Sequence, residues 1–567
     1  MRLLIWFGVV LNIAVVLVTP VSAATTVNKV ATMEPDLPKV ALTNKILYEY
    51  LVAEIAGQRG DLKLASEAYL DLAKTTRDPR LAKRATEISV YARQTQAAEA
   101  ASKLWLDLDP QSSHARQAAA GILLGGGKLS DAQPYLQQLL LKANPANVGV
   151  EFIRISAMLD NQVDKPAVLA LLQILTKDYT NVPEAQLVLA QAAARAGQFD
   201  AALTMLDAAD KLKPNWELAA MLRMEILSRE GRADGLSFAQ TYLQANPGAR
   251  EMRLAYARLL LKQNQLTASR EQFQLLANAV PSSAEMQVAI GLISLQLNEL
   301  DAATAAFQSA LKLNYADAGT VRLYLGQLAE AQQKDDEARV WYLGVPVGAN
   351  YITAQARYAG LLVKQSGIAK ARSYLQQVKA TNSAERIQLI QVEADLLRTA
   401  KDDIGVYAVL TKALTVYPNS PELLYDHAMA AEKLQHLDVL EKDLRQLLKL
   451  QPNHVHALNA LGYTWADHNV RLPEALVLLQ QALKLSPNDA FVLDSMGWLQ
   501  YRLGRLDMAV DYLQRAYQQR ADPEIAAHLG EVMWAQGQYE QARGVWRSAL
   551  KAAPDNASLI AVMAKYK

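Results

Sequence analysis

The chain has 567 residues, with 58 Lys and Arg against 57 Asp and Glu and no cysteine. That balance gives no electrostatic pull toward nucleic acid or anionic lipid, and the missing thiol excludes disulfides, cysteine nucleophiles, thiolate zinc sites and lipid attachment through cysteine. Hydrophobic residues make up 51%, led by alanine and leucine with few β-branched residues beyond the first 20 positions, which favours helix over strand or disorder.

The N-terminus, "MRLLIWFGVVLNIAVVLVTPVSAATT", reads as an export signal. One Arg precedes an apolar run from Leu3 to Val18, Pro20 breaks the helix, and Val21-Ser22-Ala23 fits the small-x-small rule for cleavage after Ala23. The run is about 16 residues and contains Asn12, short of the roughly 20 a membrane span needs. Residues 1–23 are therefore expected to be removed, leaving a mature chain without a transmembrane span. Residues 24–43 are expected to be a flexible arm.

From about residue 44 the chain repeats itself. The phrase Lys-Leu-x-Pro-Asn occurs at 211–215, 449–453 and 484–488, and Leu-Gly or Met-Gly pairs fall at 461–462, 496–497 and 529–530. The period is 34 with single-residue slips. Each copy holds two helical patterns of about 13 residues, apolar at i, i+3, i+4 and i+7. Copies are read at 46–77, 78–111, 112–148, 149–182, 183–216, 217–249, 250–283, 284–318, 319–351, 352–386, 387–420, 421–454, 455–489, 490–522 and 523–556, fifteen in all. They group into degenerate N-terminal repeats (44–182), central repeats (183–420) and well-formed C-terminal repeats (421–556), closed by a capping helix at 557–567.

The repeated positions have physical reasons. Position 8 is Ala85, Ala190, Ala257, Gly291, Ala394, Ala428, Gly462, Gly497 and Gly530, and position 20 is Ala65, Ala97, Ala202, Ala303, Ala371, Ala509 and Ala542. These are expected to face each other where the two helices cross, since only tiny side chains let backbones close to that distance. Position 15, between the helices, is Gly60, Gly197, Gly231, Gly504 and Gly537, or Asn264, Asn298 and Asn469, the residues that tolerate the left-handed conformation ending a helix. Pro then stops the second helix and Asn, Asp or Ser caps the next. Ordering 34 residues costs roughly 50 kcal/mol, offset only by burying about 2,000 Å² of apolar surface. A lone helical pair cannot bury that much, so the copies must stack.

The pattern resembles the tetratricopeptide repeat, with small residues at 8, 20 and 27, a bulky one at 24 and Pro near 32. The resemblance implies an all-α tetratricopeptide-repeat α-solenoid of about fifteen helical hairpins. It also implies that positions 2, 5, 9 and 12 line a concave groove. In the last four copies these include Tyr425, His456, Asn459, Tyr463, Phe491, Asp494, Trp498, Tyr501, Glu531 and Trp534. Stiff aromatic side chains in a groove suit peptide binding. If Trp498 and Trp534 serve contact alone, replacing both with Ala weakens partner binding and leaves the melting temperature nearly fixed. Trp465 and Trp546 are expected in the core.

The two ends of the repeat region are more specific. "LVAEIAGQRGDLKLASEAYLDLAKTTRDPRLAKRATEIS" at 51–89 is similar to the N-terminal signature of a family of exported repeat proteins of Gram-negative bacteria. "NALGYTWADHNVRLPEAL" at 459–476 and the run 494–543 are similar to its C-terminal signature. The best-understood member is an outer-membrane lipoprotein adaptor that presents cell-wall hydrolases to a periplasmic carboxyl-terminal processing protease. The resemblance implies a periplasmic scaffold, either soluble or held at the outer membrane by some means other than a lipidated cysteine. The alternative is a scaffold of an envelope complex for polysaccharide secretion.

Motifs for catalysis, metal or cofactor are not expected to operate. "GGGK" at 125–128 lacks the phosphate-loop Gly, since Ile122 stands there, and Leu129 replaces Ser or Thr, so it reads as a slack turn. His454 and His456 lie about 18 Å from His468 along one predicted helix, too far to share an ion. Asp335-Asp336 and Asp402-Asp403 read as solvated turns, and no HExxH or GxSxG occurs.

Overall fold

The computed structural model describes residues 37–229 and 234–566. The signal-peptide reading, most of the arm and Gly231 lie outside the described residues. Among the described residues there are thirty-one α-helices, one short 3₁₀ turn and no strand. The first thirty helices form fifteen hairpins, from Asn44–Gln58 with Leu62–Thr76 to Pro523–Ala535 with Tyr539–Ala552, and Ala557–Lys565 follows as a single helix. The fold is the all-α tetratricopeptide-repeat solenoid. The chain divides into two compact units, one ending at Gln272 and one beginning at Phe273.

Small residues make the hairpins close. Eleven of the alanines at positions 8 and 20 are fully buried, Ala65, Ala85, Ala371 and Ala542 among them. The exception is Ala97, which is half-buried, while Ala98 beside it is buried. The second helix of the second copy thus packs one residue later than its spacing suggests, while Ala85 in the first helix stays in register. Position 8 is small for a further reason: it meets the bulky residue at position 24 as well as position 20. A Cβ built on Gly497 lies 2.6 Å from Leu513 Cγ and 3.2 Å from the carbonyl oxygen of Ala509, and one on Gly291 lies 2.7 Å from the Phe307 ring. In the hairpins of Gly326 and Gly530 the Tyr342 and Trp546 rings occupy that space.

Most of the described hairpin turns use the left-handed conformation; the turn between Val148–Leu159 and Lys165–Thr176 does not. Gly60, Gly197, Gly504, Gly537, Asn264, Asn298 and Asn469 all have positive φ, as their positions require. So do Arg93, Gln333, Lys401 and Gln435, which the composition rule does not flag. The GGGK stretch is not slack. Helix Ser113–Gly125 runs into it, Gly127 takes φ 73°, and the Lys128 amide closes on the Leu123 carbonyl at 2.9 Å. Leu129–Leu141 then starts at once. Asp335 and Asp403 likewise begin helices, where carboxylates favour the N-terminal dipole.

Between hairpins, Asp78, Ser112, Ser420, Asp522 and Asn556 cap the following helix with their side chains. In two of the three Lys-Leu-x-Pro-Asn joints the cap falls one residue later, on His454 and Asp489, while Trp216 after the remaining one makes no side-chain cap. At the first of these two joints the Asn is a clamp: the Gln481 side-chain amide donates to the Pro452 carbonyl at 3.0 Å and to Asn453 Oδ1 at 3.1 Å. Gln446 does the same to Pro418 and Asn419, at 2.8 and 3.1 Å. The second helix of one hairpin so ties down the loop that precedes it. Helix Ser383–Thr399 starts ahead of the expected border at 387 because Asn382 caps it there.

The core is a string of clusters. In the unit ending at Gln272 the largest runs from Ala120 to Ile226, with a smaller one around Tyr69 and Leu72. In the other unit the largest runs from Leu424 to Leu559 and contains Trp465, Trp498 and Trp546.

Candidate binding surface

The most densely packed first helix is Ala490–Arg502, buried over most of its length between its neighbours. Asp494 and Trp498 lie inside it, 8% and 5% exposed. From the following hairpin, His528 reaches back: its Nδ1 is 3.0 Å from Asp494 Oδ1 and its ring stacks on Trp498 at 4.2 Å between centroids. From the preceding hairpin, Tyr463 approaches the same His528 ring at 6.1 Å. Tyr463 and His528 belong to hairpins separated by a whole intervening one, so side chains converge on one side of the stack. That side carries Tyr463, Asp494 and Trp498 from among the residues expected to line a groove.

Trp498 is thus a core residue with a polar handle. Its Nε1 donates to Asp467 Oδ1 at 3.1 Å, and the Arg502 guanidinium lies 4.9 Å from its ring. This corrects the expectation that it can be removed at no cost in stability. Tyr501 packs against it at 5.1 Å. Trp534 stands between Tyr539, Trp546 and Tyr566 at 4.7, 5.9 and 5.5 Å, and Glu531 accepts from Lys565 Nζ at 2.8 Å and the Tyr566 hydroxyl at 2.7 Å. Those two residues hold the closing helix. Tyr425 forms a separate aromatic group with His454 and His456, at 5.7 and 6.4 Å. Phe491 is exposed and carries the Arg520 guanidinium at 5.0 Å.

One face of helix Val455–Asp467 presents His456, Asn459, Tyr463 and Asp467, spaced as i, i+3, i+7 and i+11. Asn459 Oδ1 is shielded from solvent and has no hydrogen-bond donor among the described residues. The charges on this wall act on one another. Burial raises the Tyr463 phenol far above its ordinary value, with Asp467, Asp494, Glu524 and Glu432 adding to it. Burial also raises the Glu432 carboxyl, with Asp467 and Glu524 pushing the same way against Lys433 and His468. For His528 burial pulls down, but the Asp494 carboxylate, with Asp467 and Glu531 behind it, outweighs burial and holds the imidazole above its ordinary value.

Spacing alone misses Asp467 and His528, one residue beyond positions 12 and 5 of their copies. Glu432 sits at position 12 of its copy, where the pattern itself points to it. Elsewhere, Thr411 Oγ1, His427 and Asp443 line up at 2.8 and 2.5 Å like a hydroxyl–imidazole–carboxylate relay. Thr411 lies within helix Asp403–Val416 and its hydroxyl also bonds the Tyr407 carbonyl at 2.7 Å. The relay pins three helices together. Among the described residues no group of three or more His, Asp or Glu side chains is placed to hold a metal ion.

Profiles described as the tetratricopeptide repeat match residues 167–215, 288–351, 425–490 and 500–566. A TPR repeat-containing protein of Pseudomonas aeruginosa is 34% identical over 487 residues, spanning 86% of this chain and 82% of that one. Among solved structures, yeast Tom70 is 15% identical, with 90% of this chain and 99% of that one covered at a TM-score of 0.30. A thermophilic TPR protein of Thermus thermophilus is 23% identical, with 30% and 94% covered at 0.28. With the fifteen hairpins, their small crossing residues and a relative aligned along most of its length, the chain belongs to the tetratricopeptide-repeat family.

Proposed function

We propose that the protein is an exported, non-enzymatic scaffold that binds other proteins along the inner wall of its last four hairpins. The observation that carries this is the convergence of Tyr463, Asp494, Trp498 and His528 from three successive hairpins. They form a stiff aromatic and polar surface, built on packed helices, of the kind that holds a peptide segment. Tetratricopeptide-repeat proteins act through such contacts, and among the described residues no helix is long and apolar enough to cross a membrane.

The finer reading is a periplasmic adaptor, placed near the outer membrane, that brings cell-wall hydrolases to a carboxyl-terminal processing protease. The end signatures at 51–89 and 459–543 support it. The test is a pull-down with the tagged mature chain from periplasmic extract, wild type beside Tyr463→Ala. Recovery of a processing protease and a wall hydrolase, both lost with Tyr463→Ala, supports the adaptor. Absence of both rules it out. Loss of exported polysaccharide on deletion, with hydrolase levels unchanged, favours instead the secretion-complex scaffold.

A further inference from the structure

The second helix Ile368–Gln377 runs only 10 residues, where those from Leu437–Leu450 onward each run 14. The Arg386 guanidinium fixes its early end, donating to the carbonyls of Leu375 at 3.4 Å and Val378 at 2.6 Å. Between this short helix and the next second helix, Asp403–Val416, lies a cleft of about 560 Å³, backed by the first helix Ser383–Thr399. That volume is within the roughly 300–1,000 Å³ of pockets that hold ligands. Leu375 and Leu389 are buried in the cleft, Ile390 and Val409 are half-buried, and Val416 is exposed. Its charged lining is mostly cationic: Arg372, Arg386 and Lys412 stand against the one carboxylate of Glu393. That carboxylate is buried and already engaged, accepting from Arg372 Nε at 2.8 Å and from the Gln376 side-chain amide at 3.0 Å. Among the described residues the terminal nitrogens of Arg372 have no acceptor, and the exposed Lys412 ammonium has no carboxylate partner.

We infer that this cleft takes a partner segment in which a large apolar side chain stands beside aspartate or glutamate. The apolar side chain covers Ile390, Val409 and Val416, and the carboxylate takes the free end of the Arg372 guanidinium together with the Lys412 ammonium. A guanidinium offers a carboxylate two parallel donors, and excess positive charge around an apolar cleft selects an acidic partner over a basic one. The surface is built on other helices than Tyr463, Trp498 and His528, so it adds a second contact to the proposed wall and stands or falls without it.

The experiment is fluorescence anisotropy with the full mature chain and a fluorescein-labelled ten-residue peptide that has leucine at its centre and glutamate on either side. The comparison probe has glutamine, the neutral isostere, in place of both glutamates. The expected result is at least fivefold tighter binding of the glutamate peptide, weakening with salt. Lys412→Glu reverses a charge on an exposed side chain and should remove that preference. Ala408→Trp places bulk on an exposed residue of the cleft and should weaken both peptides at least tenfold. Both variants should keep the far-ultraviolet circular dichroism and the melting temperature of the wild type. Tyr463→Ala should bind the glutamate peptide as the wild type does. No binding of the glutamate peptide at millimolar concentration, equal binding of the two peptides, or an affinity untouched by Lys412→Glu or by Ala408→Trp would overturn the inference. Loss of peptide binding with Tyr463→Ala would overturn it too, by placing the peptide on the wall instead. Failure of the periplasmic pull-down would remove the wall reading and leave this cleft standing.

Discussion

Replacing glycine by alanine inside a helix ordinarily stabilises it by about 1 kcal/mol, because the backbone loses less freedom on folding. Two glycines of the C-terminal hairpins should respond with opposite signs. Gly544, within helix Tyr539–Ala552, has nothing within 4 Å of the point a Cβ would occupy, so Gly544→Ala should gain the full helix term. Gly497, within helix Ala490–Arg502, has Leu513 Cγ at 2.6 Å from that point and the Ala509 carbonyl oxygen at 3.2 Å. Carbon atoms rest at about 3.5–4.0 Å, so Leu513 must retreat by roughly 1 Å. Leu513 is fully buried and the carbonyl belongs to a rigid helix. Overpacking of this kind costs about 1–3 kcal/mol, leaving a net loss of up to about 2 kcal/mol after the helix gain. Repeat arrays unfold piecemeal, so the measurement is native-state hydrogen exchange on peptides covering 490–519 and 539–552. Faster exchange in the first region for Gly497→Ala, and slower exchange in the second for Gly544→Ala, is the expected pair. Equal protection in both variants would refute the account of why position 8 is small.

Other consequences can be measured in the same way. Trp498→Ala should cost about 3–5 kcal/mol, as the loss of a buried indole does, and should lower the thermal midpoint, whereas retention of that midpoint would place the ring outside the core. Lys401→Gly should stabilise its hairpin by about 1 kcal/mol, since Lys401 holds a left-handed φ of 59° that glycine adopts freely; a loss of stability would mean the Lys side chain contributes there. The raised His528 value stabilises the folded state fully below the ordinary histidine value of about 6.5, and that contribution is lost as pH rises through the higher folded value. Unfolding midpoints should therefore fall as pH is raised through that window, and Asp494→Asn should flatten the dependence. Glu531→Gln should raise exchange in Ala557–Lys565, because Lys565 and Tyr566 both bond Glu531.

The hairpins are legible in the sequence because their requirements are local. A tiny residue at a crossing, Gly or Asn at a turn and Pro after a helix each leave a letter in the chain. Where the same requirement is met by Arg93, Gln333, Lys401 or Gln435, the letter disappears: an ordinary residue takes the left-handed conformation at a cost of about 1–2 kcal/mol that the stacked neighbours absorb. The slip between Ala97 and Ala98 is invisible for a similar reason, since either alanine satisfies the pattern and only packing chooses. The wall depends on something less local. Trp498 meets His528, and His528 meets Tyr463, because of the angle at which successive hairpins stack. That angle sums many small contacts and is carried by no single position.

The Tyr463–His528 contact therefore behaves like a strain gauge on a coiled spring. Contacts between adjacent turns survive a modest change of pitch by sliding, but a pair that skips a turn sees the displacement of two joints added together. Any partner that uncoils this part of the molecule must pull these two rings apart early, and one that tightens it must press them closer. The fluorescence of Trp498, stacked on the same imidazole at 4.2 Å, sits where that motion can be read.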